Sequence, residues 1–154
     1  MSLSILVRLQ ELMQELGPST AVIEWLVQES ENSWSIGMAS GQELGVSFCS
    51  SPDRLLLSTM IGKPEAPDRQ AIYTTMLCSN LLYAEHHALR VALTGPEGDL
   101  MLISEWTPEV WTVAEIWRPT KRFFDLACRF SDVISSIDAA LPVADITSPH
   151  RLRA

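Results

Sequence analysis

Hydrophobic residues at the start of the chain recur at helical spacing. Between residues 5 and 16 they return every three or four positions, which places them on one face of a helix. Gly17 and Pro18 come next, and this pair is typical of a helix end. At about 100° per residue, Leu3 and Val7 fall on the opposite side of the helix. The spacing predicts a first helix over residues 5–16 with a buried face of Ile5, Leu6, Leu9, Leu12, Met13 and Leu16.

From residue 33 the hydrophobic period changes to two, which is typical of strands with one buried face. The segment before it, residues 19–30, has an almost unbroken apolar run. Such a run is compatible with a short helix and with a strand, so both alternatives stay open. Three runs of period two follow one another, and small residues occupy the alternate positions of the first two. We therefore predict an antiparallel meander with a buried face of Trp34, Ile36, Met38, Leu44, Val46, Phe48, Leu55, Leu57, Thr59 and Ile61.

The second half of the chain predicts helices around a hairpin. A second helix over Asp68–Glu85 is followed by strands at residues 88–94 and 100–106, which a turn with Gly and Pro connects. Thr107-Pro108-Glu109 is typical of a helix start and predicts a short helix to Trp117. After Pro119 a last amphipathic helix reaches Leu141.

The element order is therefore α-β-β-β-α-β-β-α. It predicts an α+β fold in which three main helices pack on a twisted antiparallel sheet of about five strands. With 154 residues, the chain is long enough for one hydrophobic core and too short for two. We expect a single domain over residues 1–141 and a flexible tail over residues 142–154.

The second helix has a wider apolar face than its own sheet requires. The apolar residues between Ile72 and Ala84 spread over about half of the helix circumference, whereas packing on one sheet needs an apolar face of about 100°. The excess predicts a second packing surface, for which another copy of the chain is the candidate. Asn80 lies near the middle of this face. Its amide can fix the register of a dimer, or it can bond to the backbone of its own chain.

Charge and cysteine content limit the function classes. The net charge of -8 argues against a surface for nucleic acid or anionic membranes. Residues 1–115 hold 15 acidic and 5 basic side chains, so the acidity is local. No apolar run is long enough to span a bilayer, and the start of the chain lacks a basic leader, so no membrane insertion is expected. Three cysteines without a CxxC pair indicate buried thiols in a reducing compartment.

The order of elements resembles that of the class I type III secretion chaperones, the Tir-chaperone-like family. The segment Met76-Leu77-Cys78-Ser79-Asn80-Leu81-Leu82 and the hairpin from Ala88 to Trp106 carry the resemblance best. The resemblance implies a homodimer in the bacterial cytoplasm that is not an enzyme and needs no cofactor. It also implies a partner, the N-terminal segment of a secreted effector protein, which the chaperone holds in extended form and keeps stable and competent for secretion.

The resemblance implies two surfaces, and the sequence offers candidate residues for each. An extended effector segment can lie in a groove between the first helix and the sheet and add a strand to a free edge. Its candidate contacts are Leu3, Val7, Trp34, Ile36, Met38, Val46 and Phe48, and core packing is the alternative role for the five strand residues among them. The candidate dimer interface consists of Tyr73, Met76, Leu77, Asn80, Leu81, Leu89, Val91 and Leu93.

Other kinds of chemistry have weaker support in the sequence. Glu85-His86-His87 is the one histidine cluster, but adjacent residues point in different directions, so a metal site would need ligands from elsewhere. The chain has no P-loop, G-x-G-x-x-G or H-E-x-x-H motif, and we assign no catalytic, cofactor-binding or metal-binding residue. A sheet half-covered by helices can also enclose a cavity, so a small-molecule-binding or regulatory module is the alternative function.

Overall fold

A computed structural model of the chain describes residues 2–65, 67–83 and 89–135. The described part contains three helices and six strands. In chain order they are α1 (Ser2–Ser19), β1 (Ile23–Ser30), β2 (Ser33–Met38), β3 (Glu43–Cys49), β4 (Arg54–Gly62), α2 (Arg69–Tyr83), β5 (Arg90–Leu93), β6 (Leu100–Trp106) and α3 (Val113–Ser135).

All six strands belong to one antiparallel sheet with the spatial order β1-β2-β3-β4-β6-β5. Strands β1 to β4 pair as a meander, and the β5–β6 hairpin joins the sheet where β6 pairs with β4. The α+β class, the meander and the hairpin are thus confirmed. The segment that the sequence left open forms β1, which raises the strand number from about five to six. Strands β1 and β5 are the two edges of the sheet.

One hydrophobic core lies between the sheet and helices α1 and α3. α3 packs on β4, and α1 contacts both β1 and α3. The predicted alternation in β2, β3 and β4 places every second side chain in this core. Of the six α1 residues predicted to be buried, four are buried and two, Ile5 and Leu6, pack partly against the core.

Helix α3 joins two helices that the sequence predicts separately, one from Thr107 to Trp117 and one after Pro119. Residues 107–112 form a loop, and one helix begins at Val113 and continues through Pro119. The Oγ1 of Thr112 accepts a hydrogen bond from the backbone N–H of Glu115 at 3.3 Å, as an N-cap residue does. Pro119 removes one backbone donor from the helix, but Ile116, Thr120 and Phe123 on either side are buried in one core. Packing therefore outweighs the local preference for a break at the proline.

Several predictions concern residues outside the described part. They are the extension of the last helix to Leu141, the tail at residues 142–154, the end of the second helix at Glu85, and the cluster Glu85-His86-His87. The single-domain boundary at residue 141 stays a prediction for the same reason. Within residues 2–65, 67–83 and 89–135, no helix is both long enough and apolar enough to cross a membrane.

Candidate functional site

An open cavity of about 520 Å³ lies between helix α1 and the edge strand β1. We call it the α1–β1 groove. Met13 and Trp34, which are buried, contribute to its lining, and Leu26 packs partly against the same core. The remaining lining is more polar or lies closer to the surface. It consists of Gln14, Gly17, Pro18, Ile23, Glu24, Trp25 and Gln28.

The edge strand β1 leaves apolar side chains exposed. Trp25 and Val27 are 41% and 48% exposed. Opposite Trp25 stands Gly37 of β2, and a Cβ at Gly37 would lie 2.0 Å from the Cε2 atom of Trp25. Gly37 thus provides the space in which the indole ring lies across the sheet. Register irregularities on both sides of residues 25–28 limit the regular part of this edge to four residues.

Nearer its start, helix α1 also contacts the turn that connects β1 and β2. The Nε2 of Gln10 donates a hydrogen bond to the backbone oxygen of Glu31 at 3.1 Å, which ties α1 to the β1–β2 turn. Val7 lies seven positions before Gln14 and therefore on the same side of the helix, and it is 52% exposed. Val7 stays a predicted effector contact. The side chain of Leu3, its predicted neighbour, lies outside the described part.

The five strand residues predicted to contact an effector lie in the core of the single chain. Each of them is at most 4% exposed. They occupy the sheet face that α1 and α3 cover, so their alternative role as core residues is observed. Trp34 also lines the α1–β1 groove, and the lining includes none of the other four. These five are Trp34, Ile36, Met38, Val46 and Phe48.

Helix α2 has the second apolar surface that its wide face predicts. Met76 is buried against the sheet, whereas Leu77 and Leu81 are 46% and 82% exposed. These two leucines are one turn apart and form one exposed strip. Tyr73 extends this strip by another turn, and its hydroxyl donates a hydrogen bond to the backbone oxygen of Gly98 at 2.6 Å. The strip stays a predicted dimer surface.

Both polar atoms of the Asn80 side chain form hydrogen bonds within the same chain. Its Oδ1 accepts a hydrogen bond from the N–H of Val91 at 2.7 Å, and its Nδ2 donates one to the carbonyl oxygen of Val91 at 3.0 Å. The amide therefore bonds to the backbone of its own chain, which is the second of the two alternatives from the sequence. Leu89 and Val91 are buried, and Leu93 is partly buried. The hairpin residues predicted for the dimer interface therefore pack under α2 in a single chain.

The three cysteines are free thiols in different surroundings. Cys78 is exposed on α2, which corrects the prediction that all three thiols are buried, and Cys49 is half-buried. Cys128 donates a hydrogen bond to the Oε1 of Gln42 at 3.2 Å. Burial, followed by the negative charges of Asp125 and Asp132, raises the pKa of the Cys128 thiol. This thiol is therefore a structural donor.

The described residues include no group of three His, Cys, Asp or Glu side chains that could hold a metal ion. Glu85, His86 and His87 lie outside the described part. What the described part offers is apolar and hydrogen-bonding surface at the α1–β1 groove and at the exposed strip of α2. Such surfaces suit binding to another polypeptide.

The sequence does not predict the groove residues of β1, because its pattern does not decide between helix and strand for residues 19–30. Trp25, Leu26 and Glu24 could not be assigned to a surface without that decision. The signal was present in the composition of the segment, since apolar residues at consecutive positions would occupy both faces of a strand. An edge strand that is apolar on both faces needs a partner beyond its own sheet.

A comparison with protein families decides the identity of this architecture. The model of the Tir chaperone protein (CesT) family matches residues 9–130. The chain belongs to this family. The match begins within α1 and ends within α3, so it includes the groove and helix α2. Membership in the CesT family confirms the class of type III secretion chaperone that the order of elements predicted.

Two solved structures share the fold of this CesT family member. The crystal structure of the ExsC–ExsE complex has a TM-score of 0.68 at 13% sequence identity and covers 83% of this chain and 94% of that chain. The structure of the HopA1–SchA chaperone–effector complex has a TM-score of 0.61 at 16% identity and covers 82% of this chain and 95% of that chain. No curated protein sequence matches the chain.

Proposed function

We propose that this chain is a non-enzymatic type III secretion chaperone that works as a homodimer in the bacterial cytoplasm. Its client is the N-terminal segment of a secreted effector, which it holds in extended form and keeps competent for secretion. The α1–β1 groove at a free sheet edge is the observation that carries the proposal. The HopA1–SchA structure, a chaperone–effector complex with the same fold, supports a protein client.

The groove has the parts that capture of an extended chain requires. Strand β1 pairs with β2 on one side only, so its outer backbone groups can bond to an added strand. Met13, Leu26 and Trp34 provide apolar lining beside this edge. Side chains of an extended client alternate between two directions, so every second residue can enter the apolar lining.

The opposite edge is a poorer place for a client strand. At β5 the side chain of Asn80 already bonds both backbone groups of Val91. Helix α2 also packs against this strand. The β1 edge therefore takes the client in this proposal, and the α2 side is left for the second copy of the chain.

The exposed strip of α2 supports the homodimer. Leu77 and Leu81 together leave a large apolar area in water, which an isologous contact with a second copy would cover. Each buried leucine contributes about 1.5–3 kcal/mol relative to an exposed one.

Capture of the client from the native host tests the proposed function. The tagged full-length chain should recover one or a few secreted proteins, and their N-terminal segments should protect α1 and β1 from hydrogen exchange. Val7→Asn removes an exposed apolar side chain from α1 without adding a charge and should weaken the complex by about tenfold, the cost of roughly 1.4 kcal/mol. Val110→Asn is the matched control, because Val110 is similarly exposed in the loop before α3.

Other outcomes of this experiment would contradict the proposal. Equal weakening by Val7→Asn and Val110→Asn would place the client elsewhere. Recovery of a tightly held metabolite without a secreted protein would favour the small-molecule-binding module.

A further inference from the structure

The part of the chain that builds the groove is almost free of cationic side chains. From Leu9 to Asp53 there are seven acidic residues and no Lys, Arg or His. This stretch forms most of α1 and the first three strands. Arg8, just before it, is in an ion pair with Glu11 of the same helix, with the two side-chain atoms 3.0 Å apart. The electrostatic potential at the groove is therefore negative.

Most of the carboxylates on α1, β1 and the turn after β1 have no ion-pair partner among the described residues. Within the described ranges, Glu15, Glu24, Glu29 and Glu31 form no ion pair. By contrast, Glu105 on strand β6 forms ion pairs with both Arg54 and Arg90. The chain pairs Glu105 with its own cations and leaves Glu24, which lines the groove, available to a partner.

Glu24 lines the groove at an irregularity in β1. Ile23 pairs with Met38 and Trp25 with Gly37, so Glu24 is the extra residue of a β-bulge. Bulges change the direction of a side chain relative to a regular strand. Glu24 and its neighbour Trp25 both line the groove.

The pair of Glu24 and Trp25 has the chemistry that binds a cationic side chain. A carboxylate accepts charge-assisted hydrogen bonds from an ammonium or guanidinium group. An accessible indole face attracts the same groups through the cation–π interaction. Trp25 has an accessible ring, because it lies over Gly37 and remains 41% exposed.

We propose that the α1–β1 groove selects a client segment in which Lys or Arg residues alternate with apolar residues, and that Glu24 and Trp25 contact one of the cations. This inference rests on the proposed function, since it assumes that the groove takes the client. In an extended segment the apolar side chains face the lining formed by Met13 and Leu26. The side chains between them face away from the core, where the unpaired carboxylates lie.

Three synthetic peptides test the inference on the full-length chain. Each has about nine residues, the length of a long strand, with Leu at alternate positions. The intervening positions are Lys in the first peptide, Gln in the second and Glu in the third. The Lys peptide should bind about three- to tenfold tighter than the Gln peptide, and the Glu peptide should bind most weakly. Raising the salt to about 1 M should remove most of this difference, because the screening length falls to about 3 Å.

Glu24→Gln and a charge-matched control locate the effect. Glu24→Gln should reduce the preference for the Lys peptide about two- to fivefold, as expected for one partly exposed ion pair. Glu97→Gln removes the same charge in the β5–β6 turn at the far edge of the sheet, where Glu97 contacts Arg69. This control should leave the preference unchanged.

The possible results separate this inference from the proposed function. Equal binding of all three peptides overturns the selection by charge and leaves the groove as the client site. An unchanged preference in Glu24→Gln overturns the assignment of Glu24. Binding of none of the three peptides overturns the inference and the proposed groove together.

Discussion

The side chain of Asn80 on α2 forms the two backbone hydrogen bonds with Val91 on β5 that a neighbouring strand would otherwise form. Its amide oxygen and nitrogen bond to the N–H and the carbonyl oxygen of Val91 at 2.7 and 3.0 Å. β5 is an edge strand, and because both backbone groups of Val91 bond to Asn80 they point toward the free edge and not toward β6. The amide therefore satisfies a partly buried edge that would otherwise need water or another chain.

Asn80→Ala should destabilise the folded chain by about 1–3 kcal/mol, because it leaves both backbone groups of Val91 without their partner. Urea unfolding followed by circular dichroism measures this change. Gln70→Ala is the control on the same helix, since Gln70 is exposed, and it should change the free energy of unfolding by less than about 0.5 kcal/mol. Equal effects of the two substitutions would show that the bonds to Val91 add no stability.

The helical pattern was sufficient to predict the two faces of α2 but not the partner of Asn80. The spacing of apolar residues indicated more apolar surface than the sheet covers, and Leu77 and Leu81 are indeed exposed while Met76 is buried. The bond to Val91 joins residues 11 positions apart in two elements. Its formation depends on how α2 lies on the edge of the sheet, which the sequence pattern of either element does not contain.

Leu81→Asp should convert a dimer into single chains. Leu81 is 82% exposed in one copy, so the substitution should hardly change the stability of the single chain. In the proposed dimer it would place a charge without a partner in the apolar contact. Light scattering after gel filtration should give a mass near 17.1 kDa for the variant and twice that value for the unmodified chain.

Val110→Asp is the control for this measurement, because it adds the same charge at another exposed apolar residue. It should leave the dimer intact. A mass of one chain for the unmodified protein at micromolar concentration would contradict the dimer, and a mass of two chains for Leu81→Asp would exclude this strip as the contact.

Gly37→Ala should displace the indole ring of Trp25. The added Cβ would lie 2.0 Å from a ring atom, far inside contact distance. Because Trp25 is partly exposed, the ring can move toward water. The free energy of unfolding should therefore fall by only about 1–3 kcal/mol. The tryptophan fluorescence should shift to longer wavelength.

A double-mutant cycle with Trp25→Ala tests whether the contact between the added Cβ and the Trp25 ring causes the loss of stability. Without the ring, the substitution at Gly37 should cost much less, so the two changes should not be additive. Additive costs would mean that the backbone of β2, and not Trp25, requires glycine at this position.

The strand residues show why the groove could not be placed from the sequence. Alternation identified Trp34 and Ile36 as one face of β2 but did not say which neighbour covers that face. In the structure α1 and α3 cover it, and the exposed apolar surface lies on β1 instead. The assignment of a face to core or partner depends on packing between distant elements, and residues 23–30 had no clear period to identify them as an edge strand.

The thiol of Cys128 should make the folded chain less stable at high pH. It begins a chain of hydrogen bonds from Cys128 to Gln42, from Gln42 to Thr59 and from Thr59 to the backbone oxygen of Glu43, with the last two at 3.1 and 2.7 Å. Burial, with Asp125 and Asp132, raises the pKa of this thiol above its ordinary value of 9.0. Above that pH the unfolded chain loses the thiol proton while the folded chain keeps it, so the stabilisation present below pH 9.0 decreases as the pH rises through the pKa of the folded state.

Cys128→Ser separates this effect from the titration of other groups. The serine hydroxyl can still donate to Gln42 but does not ionise in this range. Urea unfolding between about pH 8 and 11, on either side of the ordinary thiol pKa, should therefore show a steeper loss of stability for the unmodified chain than for the variant. Cys78→Ser is the matched control at an exposed thiol, and its curve should follow that of the unmodified chain. Parallel curves for Cys128→Ser and the unmodified chain would mean that the Cys128 thiol ionises equally in the folded and unfolded states, because only a difference in proton binding between the two states can change the slope.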